Sequence, residues 1–319
     1  MKILSISILL LLGGLFSNAQ NTEGKTDDLG RIVLNAYVSD QVEGLPASAK
    51  NALANKLNQI TTKAGLGGSA FVPRFIITPN ITVLSKDVTP TAPPMVALAL
   101  DVTIYVGDGL DGTLFDSESM TLKGVGTNEA KAYMGAIKQI KGNNPNLQNL
   151  IKTGKTKIIQ YYNDRCDYII KEAQTLGSQN EYGAAILKLT SVPEVCKECF
   201  VKCMDAVEPY YVKQIERECK MKLQEAQGIW AANQDMASAE RAGAILATVE
   251  PEASCFGEVK ALSSEIASRV QKIDAREWKY VLKDQTQESE RISAYKAVGV
   301  AYGNGQPKTV SYNVRGWFP

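Results

Sequence analysis

Cys196, Cys199 and Cys203 fall within eight residues of one another, and Cys166, Cys219 and Cys255 are the only other cysteines in the chain. Thiols at spacings of three and four share one face of a helix, as metal ligands or disulfide partners would. A zinc or iron–sulfur centre would need a fourth ligand from the remaining three cysteines. An even cysteine count in an exported chain favours disulfides instead, and export is what the first residues indicate.

A second group is acidic. Asp108, Asp111 and Asp116 surround the glycine-rich stretch 107–112. Paired carboxylates could act on a glycan or hold calcium, but the spacing fits no calcium loop, and a solvated hairpin turn is the plainer reading. Gly124-x-Gly126 stands between an expected strand and helix, as in dinucleotide-binding turns. Glu129 occupies the place of the third glycine, so the pair is read as backbone freedom for a tight turn. Asn80-Ile81-Thr82 matches a glycosylation acceptor, a tripeptide common by chance. The chain has no histidine, which excludes Ser-His-Asp and Cys-His catalysis and every histidine-bound metal. No catalytic residue, cofactor site or metal site is assigned.

The elements that must position these groups follow from pattern. Lys2, an apolar run over 3–12 and the small residues Ser17 and Ala19 read as a signal peptide over 1–19, cut before Gln20. The run is too short to span a bilayer, which takes about 20 residues. The expected mature protein is therefore exported: periplasmic, outer-membrane-associated or extracellular. No later stretch is apolar enough for an integral membrane segment. With Lys2 removed the chain is near neutral, which gives no electrostatic case for nucleic acid.

Residues 20–29 are polar and read as a disordered lead. Strand-like segments at 31–38, 71–84, 95–106 and 113–122 alternate with amphipathic helices at 45–64 and 127–140. This order predicts a small mixed sheet with two helices over 30–141, an α+β domain. Pro73 and Pro79 suit an edge strand. The boundary falls at 141–145, and the pattern is then helical over 146–300. One stripe runs Ile158, Tyr162, Cys166, Ile169, Ala173 and Leu176; another runs Val212, Ile215, Cys219, Leu223, Ala226 and Trp230. A last long helix is expected over 263–298. Residues 301–319 form a tail whose alternation over 309–318 suggests a half-buried strand, added to the edge of the first sheet or to that of a partner.

The helical half also repeats. Cys166 and Cys219 each precede an Ala by seven positions, within Glu-Ala-Gln. Each segment then carries Ala-Ile-Leu, a proline (Pro193, Pro251) and a cysteine (Cys196, Cys255). Two stacked helical hairpins, tetratricopeptide-like, account for this. Equivalent positions should bond alike, so the expected disulfides link Cys166 to the 196–203 cluster, with Cys196 the preferred partner, and Cys219 to Cys255. Cys199 and Cys203 are left reduced. Each bond would close a loop of about 30–36 residues, worth roughly 3–4 kcal/mol in the chain-entropy model.

The stretch 31–38 followed by 45–65, and Thr121-Leu122-Lys123-Gly124-Val125-Gly126-Thr127-Asn128-Glu129-Ala130, resemble parts of a group of small α+β domains in bacterial envelope assembly proteins. The group includes the TolB amino-terminal domain, the curli secretion channel, flagellar assembly protein T and the lipoprotein activators of penicillin-binding proteins. A signal ending in Ala-Gln is similar to those of the Bacteroidetes. The resemblance covers about a third of the chain, and the chain departs from it in lacking a lipidation cysteine and in adding the cysteine-rich half. It implies an envelope assembly role with a protein partner or self-assembly, and it carries no catalytic residues. The expectation is thus a non-enzymatic interaction scaffold. The alternatives are a carboxylate-only enzyme acting on glycan or peptidoglycan, and a structural subunit of a surface or phage-encoded assembly.

Overall fold

The protein is described from a computed structural model covering residues 31–39, 44–68, 70–275, 277–283, 291–307, 310–314 and 316–318. The expected signal peptide and polar lead, 1–29, lie outside these residues. The fold is α+β: a four-stranded sheet in the first half, then helices.

The sheet order is β1 (Asn35–Ala36), β2 (Phe75–Thr89), β3 (Met95–Asp108) and β4 (Thr113–Gly126). β1 runs parallel to β2, and β2, β3 and β4 are antiparallel neighbours. The strand expected over 31–38 shrinks to two paired residues, although Ile32, Val33 and Leu34 are buried beside it. Alternation along β3 sends Leu98, Leu100, Val102, Ile104 and Val106 to one face, all buried. Three helices cover that face. α1 (Ala47–Lys63) contributes Ala49, Leu53, Leu57 and Ile60, at the spacing of a helical stripe. α2 (Glu129–Ile137) is capped by Asn128, whose side chain accepts from the Lys131 amide at 2.9 Å, in place of the expected Thr127. α3 (Pro145–Asp164) starts on Pro145 with the Asn144 side chain as cap, and packs on both β3 and β4.

Gly124 and Gly126 have another purpose than the expected turn. They sit at the end of β4, outside the left-handed region. A Cβ on Gly124 would overlap the Ala132 carbonyl oxygen, and one on Gly126 would come within 2.5 Å of the Ala132 nitrogen. The pair lets α2 lie directly on the strand backbone.

α3 turns at Arg165 into α4 (Cys166–Ser178), which folds back on α5 (Tyr182–Thr190). α6 (Lys197–Asn233) packs on α5 and folds back on α7 (Met236–Leu246); α8 (Phe256–Asp274) follows. The α4–α5 and α6–α7 pairs are the two expected hairpins. On α6 the buried stripe uses Tyr211 rather than Val212, which is exposed. The helix expected over 263–298 is not continuous. Ala275 turns left-handed at φ 52°, and residues 277–283 carry Trp278 and Tyr280 against Gly243 of α7. α9 (Arg291–Asn304) then packs on α5. One apolar core runs from Ile32 through α3 to Tyr295 and joins both halves. No helix among the described residues is long and apolar enough to cross a membrane.

The tail does not extend the sheet as a strand. Its described residues lie across the face opposite the helices, where Tyr312, Val314, Trp317 and Phe318 form a second core with Tyr37, Ile76 and Tyr105. Two hydrogen bonds fix it: the Asn313 amide to the Gly109 carbonyl at 2.7 Å, and the Trp317 indole to the Gly112 carbonyl at 2.8 Å. Gly107 and Gly109 leave the room these rings occupy.

Candidate functional site

The loop between β3 and β4 is not a solvated turn. Asp108 ends β3 with its side chain fully buried, and its carboxylate accepts from the backbone amides of Leu110 (3.0 Å) and Asp111 (3.1 Å). Arg74, just before β2, pairs with both Asp108 and Asp111 and donates to the Tyr161 hydroxyl at 3.2 Å; that hydroxyl donates to Asp111 at 2.8 Å. Burial alone would lower the Arg74 guanidinium, but the charges around it, Asp108 and Asp111 among them, raise it above its ordinary value. Loss of solvent pushes Asp108 above the usual carboxylate range, while Arg74 draws it back. Burial, then the bond to Asp111, pushes the Tyr161 phenol up to about 12, so it stays protonated. Asp116 is separate, pairing with Lys157 of α3 at 3.1 Å. The three acids therefore do not converge on a common ligand. Asp108 and Asp111 share a cation, and Asp116 has its own.

This network forms the wall of a cleft between the sheet and the first helical hairpin. One compartment, about 370 Å³, is polar and lined by Asp111, Tyr161, Arg165, Tyr168 and Glu172. The Arg165 guanidinium lies 5.0 Å from both the Tyr161 and the Tyr168 ring centroids. The other, about 240 Å³, is walled by Val33, Val72, Phe75, Leu187, Pro193 and Tyr302. Arg74, Tyr162, Lys188 and Ser191 border both. Tyr162 is only 5 % exposed, and its hydroxyl makes no hydrogen bond among the described residues. Burial pushes its phenol well above the ordinary value, so it remains an O–H. Ser191 and Lys188 are the cleft residues nearest to a nucleophile and base, yet they are committed elsewhere. Ser191 donates to the Lys188 carbonyl at 2.8 Å, and the Lys188 ammonium pairs with Glu172 at 2.6 Å. The arrangement can bind and orient; it places no base beside a nucleophile.

The sulfur groups lie deeper in the helical half. Cys166 and Cys199 stand at disulfide distance with Cα atoms 5.4 Å apart, and Cys219 and Cys255 do so at 6.2 Å. The second pair is the expected one. The first joins Cys166 to the expected cluster, at Cys199 rather than the preferred Cys196, one turn further along α6. Cys196 stands at the cap of α6 with its thiol 3.9 Å from the Ile159 carbonyl. It is free and buried, as is Cys203. The Cys203 sulfur is 3.9 Å from that of Cys199, and the sulfurs of Cys166, Cys199 and Cys203 lie within 4.8 Å of one another. Two of these three are bonded together, which leaves one thiol and no ligand set for a metal in this state. Burial pushes both free thiols up to about 11.

The sheet itself leaves backbone groups uncovered. β2 pairs with β1 only at Ile76 and Ile77, so from Thr78 to Thr89 its outer edge meets no strand among the described residues. β4 is the other edge along its whole length. Val83, Leu84, Val88 and Val125 are exposed at the far end of this sheet.

Sequence reasoning found the cysteines, the hairpins and the two acids of the loop, but missed Arg74, Tyr161 and Lys188 and read Tyr162 only as part of a packing stripe. A lone arginine between Pro73 and Phe75, at the mouth of an otherwise apolar strand, was the one available signal. No family model, no curated protein and no solved structure matches this chain.

Proposed function

We propose that this protein is a non-enzymatic binding or assembly module of the cell envelope, exported by its leader, whose partner is a protein segment received at the open edge of the sheet. The observation that carries the reading is the β2–β3 hairpin. Its outer edge is unpaired from Thr78 to Thr89 among the described residues, and apolar side chains are exposed at its far end. Unpaired edges are templates for strand addition, and apolar residues beside them give a partner area to bury. Soluble proteins usually blunt such edges with charge. Here Lys86 and Asp87 are the only charged side chains on β2, and Lys86 is paired to Glu129 at 2.6 Å.

The test is quantitative affinity purification from native envelope fractions, with wild type beside Val83→Lys/Val88→Lys. Both positions are exposed, so the double variant should fold with stability within about 1 kcal/mol of wild type. The reading expects a partner recovered with wild type and depleted at least tenfold with the variant. Identical recoveries from both would contradict it.

A further inference from the structure

The cysteine cluster holds a buried thiol that the edge-binding reading does not use. Cys199 and Cys203 lie one turn apart on α6, and both meet Cys166 at the start of α4. Cys199 stands at disulfide distance from Cys166, while Cys203 is free. The Cys203 sulfur is 3.9 Å from that of Cys199 and within 4.8 Å of that of Cys166. A thiol in contact with a disulfide is placed for exchange, in which a thiolate attacks one sulfur of the bond and displaces the other. Geometry decides which sulfur it keeps. Residues four apart on a helix have Cβ atoms about 5–6 Å apart, whereas a disulfide needs about 3.5–4.5 Å. A Cys199–Cys203 bond is therefore disfavoured, and Cys166, on another helix, is the partner left.

We propose that Cys203 is a second disulfide partner of Cys166, so that the one bond between α4 and α6 exchanges between two positions a helical turn apart. The Cys203 thiolate attacks the Cys166 sulfur. The electron pair of the broken S–S bond leaves with Cys199, which takes up the proton that Cys203 gave. One bond forms, one breaks, and the chain is neither oxidised nor reduced, so the step needs no other reactant. Burial alone holds the Cys203 thiol up at about 11, which keeps the thiolate scarce and the exchange slow at neutral pH. The first hairpin thus has a reserve link, since either cysteine of α6 can hold α4. The proposal stands independently of the edge-binding reading, because it involves other residues and covalent chemistry.

The test is disulfide mapping of the folded, oxidised protein held for several hours at about pH 9, towards the long end of reshuffling times. Acid stops the exchange, and free thiols are alkylated before digestion. Wild type should yield the Cys166–Cys203 peptide beside Cys166–Cys199, at a tenth of its amount or more, with Cys199 appearing among the alkylated thiols. Cys203→Ala should yield Cys166–Cys199 alone. Cys199→Ala, oxidised with glutathione disulfide, should join Cys166 to Cys203. Circular dichroism before the acid step establishes that each protein is folded. Should Cys199→Ala fail to fold, the wild-type map still decides. No Cys166–Cys203 peptide from wild type, or a folded Cys199→Ala protein with Cys166 free or joined to Cys196, would overturn the proposal.

Discussion

At the scale of single residues, Arg74 shows how much one buried cation can organise. Its guanidinium holds the fully buried Asp108, the more exposed Asp111 and the Tyr161 hydroxyl together. Removing it strands Asp108 without a counter-charge, and breaking a buried pair from one side costs about 3–5 kcal/mol. Arg74→Ala should therefore lower unfolding stability by about that amount in urea titrations, with Arg74→Lys recovering only part, because an ammonium cannot span both carboxylates. A loss below about 1 kcal/mol would mean that the network is a surface contact. The free thiols make a second prediction. Cys196 and Cys203 are held up at about 11 by burial. Since the folded values lie above the unfolded ones, their contribution is fully present below about pH 9 and is lost as pH rises towards 11. Between pH 8 and 11 wild type should lose more stability than Cys196→Ala/Cys203→Ala; parallel losses would contradict it. Legibility differed between these groups. An even cysteine count and a repeat were enough to indicate Cys219–Cys255, but periodicity gives a helix face and not which turn meets the partner, so Cys196 was read for Cys199. Arg74 carried no periodic signal, because its role is set by a loop 34 residues away.

Among the elements, packing decided what propensity could not. Gly124 sits where α2 crosses β4, and a methyl group there meets the Ala132 carbonyl. Gly124→Ala should cost about 3 kcal/mol, the upper part of the usual overpacking range. Gly228, in the interior of α6 with nothing within 4 Å of an added Cβ, is its control. Gly228→Ala should raise stability by about 0.5–1 kcal/mol, because alanine loses less backbone freedom on forming a helix. Thermal melts of the two variants, moving in opposite directions, check both claims. The break after α8 was not legible for the same reason. Residues 263–298 hold neither proline nor glycine, so nothing local ends the helix. The chain leaves it because Trp278 and Tyr280 pack on Gly243 and Lys279 pairs with Glu240, contacts that offset a left-handed alanine costing about 1–2 kcal/mol.

For the whole molecule, the arrangement of the two halves was partly written in the sequence. Strand, helix, strands, helix and then helical hairpins could be read from hydrophobic period alone. That one core would run unbroken through α3 could not, since Gly154 seats α3 on Val106 through a contact visible only in three dimensions. The tail returns to the first half from the last helix, and its alternation was read as a strand because the same residues, Tyr312 and Val314, face a surface in either case. It packs on the sheet face in its own chain. Deletion of residues 310–319 should therefore lower the melting temperature without changing the assembly state read by gel filtration. Trp317→Ala alone should cost about 3 kcal/mol. Loss of an oligomer, with monomer stability unchanged, would show that the tail acts between copies. The central claim is that the open edge of β2 receives a protein segment. Its most direct test is a photo-crosslinking residue placed at Ser85 on that edge, and at Ser268 on α8 as control, in cells of the native host. The account predicts one discrete protein adduct from position 85, mapping to an extended segment of the partner, and none from position 268. The same adducts from both positions, or none from position 85, would contradict it.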